Sequence, residues 1–138
     1  MLGKTQTLGE FWGDTVSAFK GITIPGFPNF FMMLGPNTGY GHNSVIFNIE
    51  CQVDYIIKII KAMDCKKAKS IEPKTKVFEE YNEKVHEELK TKVFGGGSCA
   101  NWYRHASGKN VTLASTSATG YWYSLLGEIS EKEYEFDY

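Results

Sequence analysis

Charge of one sign is missing from this chain. Fifteen Lys and Arg stand against sixteen Asp and Glu, a net charge of −1 over 138 residues. A dedicated nucleic-acid binder carries a basic face, so that class is excluded as the expectation. Cysteine is scarce and odd in number: Cys51, Cys65 and Cys99 make no disulfide framework. Their scarcity fits a reducing compartment, and cytoplasmic localisation is expected. No apolar run approaches the roughly 18 residues that a membrane-spanning helix needs. Residues 1–12 include Lys4, Thr5, Gln6 and Thr7 and lack the apolar stretch of a secretory signal. Arginine is almost absent, with Arg104 the single one. Cys99 and His105 are potential metal ligands, but two ligands at that spacing match no common zinc pattern, and no metal is expected.

What is abundant is apolar and aromatic side chain, at 42% and 14% of the residues. These fractions suit a globular chain of one domain's length. Residues 1–20 place Leu8, Phe11, Trp12 and Phe19 at near-helical spacing, broken by Gly9 and Gly13. Turn-formers gather at 25–28, and the five apolar residues 30–34 read as a fully buried strand. A glycine-rich loop follows at 35–44. Then Val45, Ile46, Ile49, Val53, Ile56, Ile57 and Ile60 recur at three- and four-residue steps, which predicts a helix from 45 to about 63 with those residues facing a core. Asn43 or Ser44 can cap it.

A second helix is expected to open at Pro73 and to bury Val77, Phe78, Tyr81, Val85 and Leu89. Three glycines at 95–97 form a hinge candidate. Beyond it lie an expected turn at 107–110, a strand at 111–115, a short aromatic helix at 119–126 and a fraying acidic tail at 128–138.

The feature that points to chemistry is the passage from apolar run through glycine loop to helix start. Unpaired amides and the helix dipole gather there, and an anion or a developing negative charge is stabilised at such a place. Gly35, Gly39 and Gly41 would let backbone approach a ligand, and Pro36 stiffens the turn. The segment 39–44 lacks the third glycine of a dinucleotide fingerprint, so an ordinary capped helix after a glycine turn stays open beside the ligand site.

The run GFPNFFMMLGPNTG at 26–39, with GHNS at 41–44 and IECQVDYI at 49–56, closely resembles the C-terminal third of Baeyer–Villiger and related flavin-containing monooxygenases. CANWY at 99–103, GKN at 108–110 and GYW at 120–122 extend the resemblance in the same order. It implies an α/β fold: the C-terminal part of a Rossmann-like FAD/NAD(P)-binding domain with an incomplete sheet, plus a mostly helical C-terminal extension. Residues 1–64 would be the last strand, loop and helix of the FAD-binding domain, and 65–138 an extension over the cofactor cleft.

The resemblance also implies FAD and NADPH as cofactors. It implies O2 and a small ketone as reactants, giving an ester or lactone, or else oxidation at nitrogen or sulfur. Gly35 and Pro36 would lie beside FAD, and the amides of Asn43, Ser44 and Val45 would face the pyrimidine edge of the flavin. His42 would stand near the substrate pocket, with a role-free turn histidine as the other reading. Trp102 would ride a mobile loop touching NADPH, with a core anchor as the other reading. The family's two dinucleotide glycine motifs and its catalytic arginine have no counterpart here, so the chain alone is expected to be inactive. A non-catalytic interaction module that binds an intact flavoprotein is the alternative. Exposed edges on a strand at 30–34 would make the isolated chain prone to aggregate.

Overall fold

The computed structural model describes residues 1–92 and 108–138. The glycine run at 95–97, together with Cys99, Trp102, Arg104 and His105, lies outside the described residues. The element order is α1 (Leu8–Trp12), α2 (Val45–Lys66), β1 (Ser70–Pro73), α3 (Thr75–Lys90), α4 (Ala118–Ser124) and β2 (Tyr134–Asp137).

The helix α2 is the longest element, at 22 residues. Ser44 caps it, its Oγ accepting from the Phe47 amide at 3.4 Å. Lys67, left-handed at φ 54°, ends it, and its N–H returns to the carbonyls of Met63 and Asp64. The start agrees with the sequence reading and the end lies three residues beyond the expected 63, but the face does not agree. Asn48, Cys51, Gln52, Tyr55 and Ile59 point inward, while Ile46, Val53, Ile57 and Ile60 are exposed.

The expected strand at 30–34 is not one. Asn29 and Leu34 take left-handed φ of 58° and 54° at its two ends, so the chain turns on both sides. Its amides bond one at a time: Phe30 to the Phe27 carbonyl at 3.3 Å and Met32 to the Ile22 carbonyl at 2.8 Å. The Leu34 amide donates to Gln52 Oε1 at 2.8 Å. Met33 and Leu34 are exposed. The aggregation hazard argued from a strand edge therefore loses its basis there; the exposed aliphatic residues of α2 are the apolar surface instead.

Pro73 closes β1 rather than opening a helix. β1 and β2 pair antiparallel, from Ser70 opposite Asp137 to Pro73 opposite Tyr134. This two-stranded sheet is the one sheet among the described residues. It fastens the tail that the sequence suggested would fray. The next amide, that of Lys74, donates to the Glu133 carbonyl at 2.9 Å, and α3 starts at Thr75. Phe78, Val85 and Leu89 are buried as expected, joined by Asn82, whose Nδ2 donates to the Phe78 carbonyl at 2.8 Å. Residues 111–115 do not form a strand; they contribute a single parallel bridge, Leu113 with Gly39.

The main core gathers Phe19, Ile22, Tyr55, Ile59, Ile71, Tyr121, Leu125 and Tyr134. It draws on both halves of the chain. A smaller cluster of Ala18, Ile24 and Phe27 is covered by Leu8, Phe11 and Trp12 from α1. Thr7 and Glu10 form a reciprocal capping box at the start of that helix.

One carboxylate ties the N-terminal segment to the sheet. Glu72, 9% exposed, accepts from the Gly26 amide at 2.5 Å and pairs with the Lys4 ammonium. Replacing Glu72 by Ala strands the Gly26 N–H, and the expected cost is about 2 kcal/mol in a thermal or denaturant melt. Lys4→Ala removes only the half-exposed partner and should cost about 0.5 kcal/mol. Equal effects of the two substitutions would contradict this assignment.

Candidate functional site

Residues 32–40 fold back on the turn at 19–23. Gly21 has φ 68°, and a Cβ there would stand 2.0 Å from Thr38 Cγ2. A Cβ on Gly35 would stand 2.2 Å from the Gly21 carbonyl oxygen, and one on Gly39 would stand 2.9 Å from that of Thr112. Gly35 and Gly39 thus allow backbone-to-backbone packing within the chain on their Cβ side, while both also line the cleft described below. The Gly39 amide donates to the Thr112 carbonyl at 2.8 Å, and the Ala114 amide returns to the Gly39 carbonyl at 2.9 Å.

Asparagines stitch the loop from behind, and the sequence reading missed them. Asn37, left-handed at φ 58°, donates through Nδ2 to the carbonyls of Asn110 at 2.8 Å and Leu113 at 3.0 Å. Asn110 Oδ1 accepts from the amides of Thr112 and Leu113 at 3.2 and 3.0 Å, an Asx-type turn. Asn48 Nδ2 donates to the Thr38 carbonyl at 3.0 Å. The usable signal was asparagine beside glycine and proline at 35–39, where a left-handed residue is favoured. Asn37 Oδ1, Asn48 Oδ1 and Asn110 Nδ2 are buried with no hydrogen-bond partner among the described residues.

The front of the loop lines an open cleft of about 680 Å³. Met32, Leu34, Gly35, Pro36, Tyr40 and Val45 line it, together with Trp12, Val16 and Leu113 from other parts of the chain. Of the sequence-derived candidates, the structure brings Gly35, Pro36 and Val45 together here. Asn43, Ser44 and His42 are exposed beside the cleft and do not line it. Asn43 Oδ1 already accepts from the Ser44 amide at 2.8 Å. With Phe47 capped by Ser44, the Val45 N–H is a first-turn donor that neither cap uses. His42 stands edge-on to Tyr40, with ring centroids 6.3 Å apart and planes at 84°. The Tyr40 hydroxyl donates to the Ser117 carbonyl at 3.2 Å, and burial pushes its phenol upward. Trp102 lies outside the described residues.

Behind this wall the polar side of α2 continues into the core. Gln52 receives Leu34 N–H and donates through Nε2 to the Tyr121 hydroxyl at 2.8 Å, and that hydroxyl donates to the Lys20 carbonyl at 2.7 Å. The loop is therefore held by buried side chains that have no other freedom. Among the described residues no cluster of His, Cys, Asp and Glu could hold a metal ion, and no helix is long and apolar enough to cross a membrane.

The fold occurs inside much larger monooxygenases. It superposes on a steroid monooxygenase bound to NADP with a TM-score of 0.85 at 22% identity, covering 98% of this chain and 26% of that one. A cyclohexanone monooxygenase in its closed form gives 0.78 at 23% identity, covering 96% of this chain and 25% of that one. No family model matches the chain. Its sequence carries the relationship further. It is 44% identical to a Baeyer–Villiger monooxygenase of Pseudomonas aeruginosa over 109 residues, 78% of this chain and 21% of the relative. Against a Baeyer–Villiger monooxygenase of Streptomyces coelicolor it is 36% identical over 109 residues, with the same coverage of each. An FAD-binding monooxygenase of Aspergillus niger matches at 40% over 107 residues, 75% of this chain and 18% of that one. The chain is thus homologous to a segment of the Baeyer–Villiger monooxygenases. It spans about a fifth of the length of the curated relatives it matches.

Proposed function

We propose that this chain supplies one wall of the FAD site in a monooxygenase that uses NADPH and O2 to oxidise a small organic molecule. A ketone converted to an ester or lactone is the favoured substrate class, with oxidation at nitrogen or sulfur as the other reaction of this group. The observation that carries the reading is the meeting of an apolar cleft with the open first turn of a 22-residue helix. A flat, largely apolar ring system fits such a wall, and an N–H at its rim suits the electron-rich edge of a flavin. The names of the relatives favour FAD, and a neighbouring structure holds FAD and NADP together.

When bound, the flavin supplies the redox chemistry that joins NADPH to O2. The chain's own part is to place and shield the ring. Gly35 and Pro36 hold the wall rigid, and the amides of residues 43–45, of which that of Val45 is open, face the pyrimidine edge. His42 stands at the rim toward the substrate, and Trp102 is the residue assigned to contact NADPH. In this division residues 1–64 contribute to a Rossmann-like FAD-binding domain, as a C-terminal piece of it, and residues 65–138 form the covering extension. The halves share one core, so the division is one of role. No Gly-x-Gly-x-x-Gly run exists among the 138 residues. The phosphates of both dinucleotides are therefore left to other sequence, and the chain alone is inactive.

A chimera tests this. The matched 109-residue segment of the Pseudomonas aeruginosa relative is replaced by the corresponding residues of this chain. The chimera should purify with FAD and oxidise NADPH in a ketone-stimulated reaction. Val45→Pro in that chimera deletes one N–H at the first helical position, where proline is tolerated. FAD content should hold while flavin reduction by NADPH slows roughly tenfold or more. A chimera without flavin, or a proline variant with unchanged reduction, overturns the reading.

A further inference from the structure

The helix α2 is apolar on two opposite sides, and the core takes only one of them. Ile46, Ile49, Val53, Ile57 and Ile60 lie on a single stripe, at steps of three and four residues. Ile46, Val53, Ile57 and Ile60 are 67%, 36%, 42% and 51% exposed. The other side, with Tyr55 and Ile59 at 1% and 0%, is the core. A contiguous aliphatic stripe exposed to water is unfavourable and marks an interaction site. The stripe begins at the same helix end that borders the cleft, Val45 lining the cleft and Ile46 opening the stripe.

We infer that this stripe is a docking surface for the polypeptide that supplies the remainder of a flavoprotein monooxygenase. The partner presents a facing surface of aliphatic side chains. Two observations choose this occupant. The chain accounts for 21% of the P. aeruginosa relative and 26% of the steroid monooxygenase that shares its fold, so about three quarters of such a molecule is not contained in it. And the stripe begins at Ile46, next to Val45 of the cleft lining, so a partner seated on it stands beside the cleft. The identity of the partner rests on the flavoprotein reading; the existence of the docking surface does not.

The test uses the full chain and the double variant Val53→Glu, Ile57→Glu. Because Val53 and Ile57 are exposed and belong to neither core cluster, the variant should melt within about 2 °C of the parent. Its enhancement of 8-anilinonaphthalene-1-sulfonate fluorescence should fall severalfold. A variant that unfolds as Ile59→Glu does would show the stripe to be covered internally and would overturn the inference. The second arm co-expresses the chain with the P. aeruginosa relative lacking its matched segment. The parent chain should co-purify with it, and the double variant at least tenfold less. A parent chain that sediments as a stable dimer broken by the two glutamates assigns the stripe to a second copy. Binding to phosphatidylcholine vesicles assigns it to lipid. Either result, or absence of co-purification, also overturns the inference. Co-purification without retained flavin counts against the FAD reading alone and leaves the docking surface standing.

Discussion

Raising the pH from about 9.5 to about 11 is expected to remove about 4 kcal/mol of folding stability, enough to unfold a domain of ordinary marginal stability. The cause is a set of phenols inside the protein. Tyr55, Tyr121 and Tyr134 are 1%, 4% and 1% exposed, and Tyr81 is partly buried. Burial pushes all four upward, Tyr134 to about 12 and the others further. An unfolded tyrosine ionises near pH 10, so above that value the unfolded chain releases protons that the folded chain keeps. The contribution of each phenol is complete below about pH 10 and is lost as the pH climbs toward its folded value, at about 1.4 kcal/mol per unit.

Lys20 works in the opposite direction. Its ammonium, 3.0 Å from the Tyr55 hydroxyl and 3.2 Å from both Glu133 oxygens, is held below the usual lysine value by burial, with Glu133 opposing that shift. Between its folded value and that of a free lysine, rising pH relieves the cost of burying the charge. One lysine against several phenols leaves the balance negative. Denaturant midpoints measured across this range, with tyrosinate absorbance followed in parallel, check the claim. The buried phenols should ionise in one step together with loss of helical circular dichroism. Gradual ionisation of all eight tyrosines near pH 10 with helix content intact would contradict it.

How much of this was open to reading from the residues differs element by element. The limits of α2 were legible because Ser44 is a cap and the apolar spacing runs unbroken behind it. Which side of α2 faces the core was not. Both sides carry aliphatic or aromatic residues, and the choice is made by Asn48 and Gln52, whose amides are consumed by Thr38 and Leu34 of the loop. A hydropathy pattern ranks such residues as outward-facing, and only their long-range partners bring them in. The apolar run 30–34 looked like a strand because length and composition matched one, yet pairing partners are a property of the whole fold, and left-handed Asn29 and Leu34 bend it away. The pairing of β1 with β2 joins positions 70 and 137 and leaves little local trace, which is why the tail looked free. Of the candidate site residues, Gly35, Pro36 and Val45 line one cleft, because the glycine loop runs directly into the helix start. The glycines were legible as points of close approach, and the structure shows the chain's own backbone as one of the approaching groups.

That last point predicts a large effect from a very small change. Gly21→Ala should destabilise the chain by about 3 kcal/mol or more, because it adds a left-handed φ of 68° to a contact of 2.0 Å with Thr38 Cγ2. Gly35→Ala should cost a similar amount for a different reason. Its φ is not left-handed, but the new methyl would meet the Gly21 carbonyl oxygen at 2.2 Å, and backbone cannot rotate aside as a side chain can. In a chain of this size each loss corresponds to a fall of roughly 10 °C in the melting midpoint. Two further glycines calibrate the argument. Gly26→Ala has left-handed φ of 82° but open space, so only the conformational strain of about 1 kcal/mol should appear. Gly9→Ala, in α1 with nothing within 4 Å, should stabilise by about 0.5 kcal/mol. The order expected in a melting series is therefore Gly9→Ala above the parent, then Gly26→Ala, with Gly35→Ala and Gly21→Ala lowest. If Gly35→Ala melted with the parent, the loop at 35–38 would not rest on the turn at 19–23, and the wall of the cleft would lose its support in the fold.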